Sequence, residues 1–140
     1  MAISFNYETD FKLREESNYS DWVCRVLASE SFVAAEIAYI FCEDNYLLKI
    51  NQEYLNHDTF TDIITFDYSE GTRISGDIFI SVERVLENAG EYGASFMEEL
   101  MRVMAHGVLH LMGYKDKTSS DADLMRRKEN EKIELFHVER

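Results

Sequence analysis

The 140-residue chain is 46% apolar and 13% aromatic, enough for one sizeable core and too short for a second, so a single domain over residues 1–140 is expected. Its 14 basic and 27 acidic side chains leave a net charge of −13, which at face value argues against a nucleic-acid partner, since phosphates are held mainly by lysine and arginine. Met1 to Phe11 has neither the basic start nor the apolar run of a signal peptide, and no stretch approaches the ~20 apolar residues of a membrane span, so a cytoplasmic protein without a membrane partner is expected.

Ile3 to Glu8 alternates apolar and polar residues, as a half-buried strand does. Tyr19 to Ala28 places Trp22, Val23, Val26 and Leu27 on one helical stripe, and Ala34 to Cys42 reads as a second, more buried strand. Asp44 can cap a helix through Leu47, Leu48, Ile50 and Leu55, after which Asn56, His57 and Asp58 form a turn. Ile63 to Tyr68 and Asp77 to Val82 are two further strands, joined by the polar loop Ser69 to Arg73. Ser81 or Val82 opens a helix through Ala89, Ser95 caps a long helix from Phe96 to Met112, and Ser119 or Ser120 caps a last helix to about Phe136. The sum is an α+β domain with a mixed sheet of about four strands and about five helices. Cys24 and Cys42 lie far apart in apolar stretches, outside any Cys-x-x-Cys pattern, and are expected as buried free thiols.

Charge is unevenly distributed. Residues 1–114 hold 7 basic and 20 acidic side chains, whereas 115–132 hold 6 basic against 5 acidic. Arg126 to Lys132 reads equally well as a solvated helix face or as a phosphate track.

The richest stretch is His106 to Asp116. Phe96, Leu100, Val103, Met104, Val108, Leu111 and Met112 surround the helix that leads into it with apolar surface, so that helix runs through the middle of the domain. Two histidines four residues apart lie about 40° from eclipsed and about 6 Å apart along a helix of ~3.6 residues per turn, so both imidazoles leave one face. Spacing alone fits either packed polar groups or a metal clamp, but imidazoles on an otherwise dry helix need a partner. Gly113 can end the helix with a left-handed residue, and Asp116 then arrives as a third ligand for a metal at the helix end. Two imidazoles and a carboxylate, with a fourth position for water, is the pattern of a catalytic rather than a structural zinc. Gly107 stands where a His-Glu-x-x-His peptidase carries its general base, which argues against a conventional zinc protease.

His-Gly-x-Leu-His-Leu-x-Gly-Tyr over His106 to Tyr114 resembles the signature of the YbeY family of metal-dependent endoribonucleases. Thr61-Asp62-Ile63-Ile64-Thr65-Phe66 and Gly76-Asp77-Ile78-Phe79-Ile80-Ser81 are similar to two further stretches of that family, in the expected order. The resemblance covers essentially the whole chain. It implies cleavage of single-stranded RNA in 16S rRNA 3′-end maturation and ribosome quality control, with one zinc ion, the small ribosomal subunit as partner and no DNA substrate. Two alternatives are a metal-dependent hydrolase of a non-RNA substrate and a ribosome-associated binding factor whose metal is mainly structural. Oligomeric state is not legible.

Two departures stand out. Where the family continues Gly-Tyr-Asp-His, this chain has Lys115 and Asp116, so the ungapped alignment gives Asp116 the ligand position; Lys117, one further on, has no lone pair to offer. A harder, charged ligand loosens the choice of metal beyond zinc. Leu55 occupies the place of a family arginine expected to face phosphate, and His57 and Arg73 are the nearby substitutes. The family's Gly-Asp-Ile strand, Gly76 to Ser81, is expected beside the metal with an exposed edge, Asp62 and Asp77 are read as turn or capping residues, and His137 as a helix-end or surface histidine.

Overall fold

The computed structural model describes residues 2–55 and 61–137. The turn expected at Asn56, His57 and Asp58 lies outside the described residues. In chain order the elements are β1 (Ile3–Tyr7), α1 (Glu16–Ser29), β2 (Val33–Cys42), α2 (Asp44–Leu55), β3 (Ile63–Asp67), β4 (Arg73–Ser81), α3 (Val82–Tyr92), α4 (Phe96–Leu111) and α5 (Ser119–Glu134), followed by a single 3₁₀ turn, Leu135–His137. No described helix is long and apolar enough to cross a membrane.

The four strands form one mixed sheet in the order β1-β2-β4-β3. β1 and β4 both run parallel to β2, while β3 returns antiparallel to β4. The Gly76–Ser81 strand is therefore interior, and the edge on its side of the sheet is β3, contrary to the sequence expectation. A β3–β4 hairpin can join a sheet by either strand, and the choice falls to the long-range pairing of β4 with β2, which local periodicity does not encode. β4 also starts earlier than expected, at Arg73, so the anticipated loop reduces to a short turn closed by reciprocal backbone hydrogen bonds between Glu70 and Arg73.

Alternation along the strands sends two sets of side chains to opposite faces. One face carries the main core, in which Ile37, Tyr39 and Phe41 of β2 and Ile74, Ile78 and Ile80 of β4 meet Trp22, Val26 and Leu27 of α1 and Leu100, Met104 and Val108 of α4. The other carries a small cluster of Cys42, Leu47 and Ile64, flanked by Ile50, Phe66 and Phe79, under α2. The helical stripe read from Trp22 to Leu27 is buried as expected. Cys24 corrects the sequence reading: both thiols are free, but only Cys42 is buried, because Cys24 falls on the solvent side of α1.

α4 is placed by its sequence at both ends. Ser95 and Glu98 form a reciprocal capping box at its start. At its other end Gly113 adopts φ of 105°, and its amide together with that of Tyr114 closes onto the carbonyls of His110 and Leu109. Between them the helix approaches the sheet closely where it lacks side chains. A Cβ on Gly107 would sit 2.7 Å from Ile78 Cγ2, and one on Gly76 would sit 2.5 Å from the Phe66 carbonyl oxygen. The buried Tyr39 hydroxyl donates to the Met104 carbonyl at 3.0 Å, so β2 grips the same helix. α5 is capped by Thr118, one residue before the expected serines, whose hydroxyl accepts from the Asp121 amide at 3.1 Å.

The basic run on α5 is neither purely a solvated face nor a phosphate track. Lys132 is fully buried, its Nζ donating to Ser29 Oγ at 2.8 Å, Glu30 Oε2 at 2.7 Å and Glu131 Oε2 at 2.6 Å. Lys128 joins it on Glu30 at 2.9 Å, and the Tyr114 hydroxyl donates to the other oxygen of that carboxylate at 2.7 Å. Much of the local excess of cations is thus spent internally.

Candidate metal centre

His106 and His110 leave the last turns of α4 on one face, as the four-residue spacing requires, with ring centroids 4.6 Å apart. The chain reversal at Gly113 brings Asp116 over them. Asp116 Oδ2 lies 3.2 Å from His106 Nε2 and 3.5 Å from His110 Nε2. One ligand atom from each of the three residues falls within 4.8 Å of the others, so the trio could hold a metal ion. The donor chemistry fits: two imidazole nitrogens and one carboxylate oxygen converge in a cleft.

The cleft holds about 380 Å³ and is walled by α3, α4, α5 and the β3 edge. Ile63 and Thr65 come from β3, Asn88 and Tyr92 from α3, Glu99 and Arg102 from α4, and Arg126 and Glu129 from α5. Asp62 lines it too, accepting a hydrogen bond from the Asn88 amide at 3.4 Å, so it belongs to the cleft wall rather than to a plain turn. Asp77, by contrast, sits within β4 on the opposite side of the sheet, beside Tyr46, Tyr54 and Tyr68, and is not the turn or cap expected of it. Arg73 is exposed at the start of β4 and is not part of the cleft lining, and His57 lies outside the described residues.

Electrostatics differ between the two histidines. Burial opposes a charge on His106, but Glu129, Asp116 and Asp62 together outweigh it and raise its pKa. Burial and the neighbouring His106 lower that of His110, against the pull of Asp116. Burial likewise raises the carboxyls of Asp62, opposed by His106, and of Glu99, opposed by Arg102.

Glu129 is the main functional-site residue that the sequence reading missed. Its Oε2 lies 2.6 Å from His106 Nδ1 and its Oε1 receives Arg102 Nη1 at 3.1 Å. The available signal was its phase: Met125, Glu129 and Lys132 are the buried residues of α5, a stripe in which two charged groups replace apolar ones. Arg102 was legible in the same way, one turn before His106 on the same helix face.

The fold and this cluster define a single-domain α+β protein with a His/His/Asp set able to hold a metal at the end of its central helix. Comparison with known proteins narrows the class. The profile of the family described as Endoribonuclease YbeY matches residues 4–137, and the chain belongs to that family. It is 63% identical over 136 residues to Endoribonuclease YbeY of Flavobacterium psychrophilum, covering 97% of both chains. It is 62% identical to the protein of that name from Flavobacterium johnsoniae, covering 98% of this chain and 99% of the relative. The solution structure of TM1509 from Thermotoga maritima superposes with a TM-score of 0.67 at 24% identity, over 96% of this chain and 88% of that one, and shares the fold.

Proposed function

We propose that the chain is a zinc-dependent endoribonuclease that cuts single-stranded RNA in the cytoplasm, acting in 16S rRNA 3′-end maturation and ribosome quality control on the small ribosomal subunit. The observation that carries this reading is the convergence of His106, His110 and Asp116 at an open cleft in a chain of the YbeY family.

His106 and His110 would hold the ion through Nε2 and Asp116 through a carboxylate oxygen. A divalent ion held there supplies Lewis-acid charge to a phosphoryl group and lowers the pKa of water. Among the described residues, Arg102 and Arg126 are the cations lining the cleft and are placed to take phosphate oxygens of a bound strand, in the role the family arginine would fill at Leu55. Tyr92, exposed on the cleft wall, offers a face on which an unpaired base can stack. Ile63 and Thr65 of β3 line the cleft, and the family resemblance implies an unpaired strand as its occupant. RNA brings its own 2′-hydroxyl, so strand cleavage asks for fewer protein groups than peptide hydrolysis does. The net charge of −13 weakens attraction for free RNA, and a ribosomal partner that presents the substrate supplies what the surface does not.

The deciding experiment is elemental analysis of the purified wild type beside Asp116→Ala, paired with cleavage of matched single-stranded and duplex RNA oligonucleotides. Near one equivalent of zinc in the wild type, sharply less in the variant, with cleavage confined to the single strand, is the expected result. A wild type that takes up no metal after supplementation would overturn the catalytic reading.

A further inference from the structure

An imidazole offers two nitrogens, and a metal needs one that carries a lone pair rather than a proton; the hydrogen bond made by the other nitrogen decides which that is. In His106, Nε2 faces Asp116 at 3.2 Å and Nδ1 faces Glu129 at 2.6 Å. His110 turns its Nε2 to the same Asp116 oxygen at 3.5 Å. Each ring therefore has one nitrogen in the cluster, and His106 holds its other nitrogen on a carboxylate.

Glu129 is itself held on both sides. It is 6% exposed, and a carboxylate this deep is costly unless its oxygens are bonded. Oε2 goes to His106 and Oε1 to Arg102 Nη1 at 3.1 Å, with Arg126 Nη1 further off at 4.0 Å. Arg102 and His106 stand four residues apart on α4, so one helix face presents both groups to a single side chain of α5.

We propose that Glu129 is the positioning residue of the metal centre: it accepts a hydrogen bond from His106 Nδ1–H, leaves the Nε2 lone pair directed at His110 and Asp116, and is clamped in that pose by Arg102. This rests on the reading of the trio as a metal site. α5 then contributes to metal affinity without touching the ion.

The test uses the full chain and two variants, Glu129→Gln and Arg102→Met. Gln keeps the volume but has a single acceptor oxygen, so it cannot serve His106 and Arg102 at once. Zinc affinity is measured by competition with a chromophoric chelator. The His106 tautomer is read in the metal-free protein by imidazole ¹⁵N NMR in alkaline buffer, and metal-free stability by urea unfolding. Expected are zinc binding weaker by about 10- to 100-fold in Glu129→Gln, a smaller loss in Arg102→Met, and a wild-type His106 protonated at Nδ1 that loses this preference in Glu129→Gln. Equal zinc affinity in wild type and Glu129→Gln, or a wild-type His106 protonated at Nε2, overturns the proposal while leaving the metal site standing. If Glu129→Gln does not fold, Arg102→Met decides by the same two readouts, and zinc affinity and tautomer both unchanged overturn the proposal. A wild type that binds no zinc overturns both readings.

Discussion

The two histidines of the candidate metal centre and the aspartate opposite them are held by different means. His106 and His110 belong to a helix packed on the sheet across two glycines and pinned from β2 by the Tyr39 hydroxyl. Asp116 lies on the connection between α4 and α5, more exposed than either histidine, and that connection is tied down through Tyr114 to the Glu30, Lys128 and Lys132 cluster. Two members of the trio are thus placed by the core and one by a surface-anchored loop. Rigid elements supply precision, and a loop supplies a position whose ligand type can change without disturbing the core. The carboxylate of the trio falls on the loop member.

The sharpest way to break this contrast is at the glycines. Gly76→Ala sets a Cβ 2.5 Å from the Phe66 carbonyl oxygen and 2.9 Å from Leu111, and the backbone of β3 cannot yield cheaply. A loss of about 3 kcal/mol is expected in urea unfolding, at the upper end for overpacking. Gly107→Ala meets Ile78 Cγ2 at 2.7 Å and Ile63 Cδ1 at 3.0 Å. About 1 kcal/mol of gained helix propensity offsets part of that strain, so a net loss of about 1–2 kcal/mol is expected. A Gly107→Ala variant as stable as wild type would show that α4 is not seated as tightly as its contacts require.

The loop anchor is addressed by acid. Burial would raise the Glu30 carboxyl, but hydrogen bonds from Lys132, Lys128 and Tyr114 outweigh it and hold the pKa at about 2, against an ordinary 4.5. A depressed folded-state pKa contributes stability that is complete above the unfolded value and lost as pH falls toward the folded one. Wild type should therefore lose stability between about pH 4.5 and 2 through this group, and Glu30→Gln should not show that component. After allowance for solvent screening the component is about 1–2 kcal/mol, measurable by urea unfolding across that range.

Asp116→Ala is expected to have the smallest effect on the metal-free fold. An exposed loop carboxylate should change stability by no more than about 0.5 kcal/mol, even as metal uptake falls. Thermal unfolding of the metal-free variant checks it, and a large destabilisation would mean that the loop, too, is part of the core's support.

What could be foreseen from sequence follows the range of the interactions involved. The histidine pair, the Ser95 capping box and the Gly113 reversal are local, encoded within a turn or two, and the α4 boundaries followed to within a residue. The interior place of β4 depends on pairing with β2, some 40 residues away, and alternation within β4 is the same in either position. Glu129 hid for a related reason: in the run Arg126 to Lys132 every residue is polar, so only its helical phase relative to Met125, and no apolar residue of the run itself, marks the buried side. Cys24 misled in the opposite sense, because an apolar neighbourhood says nothing about which face of α1 a residue occupies.

The sole tryptophan occupies an instructive place. Trp22 is fully buried in α1, its indole N–H donates to the Lys132 carbonyl at 2.7 Å, and its ring stands edge-on to Phe136 with centroids 5.7 Å apart. Lys132 lies three residues beyond Glu129 on the same helix. Any loosening of α5 wets this indole and shifts its emission to longer wavelength, so the molecule carries a built-in optical gauge of whether the helix bearing Glu129 is seated.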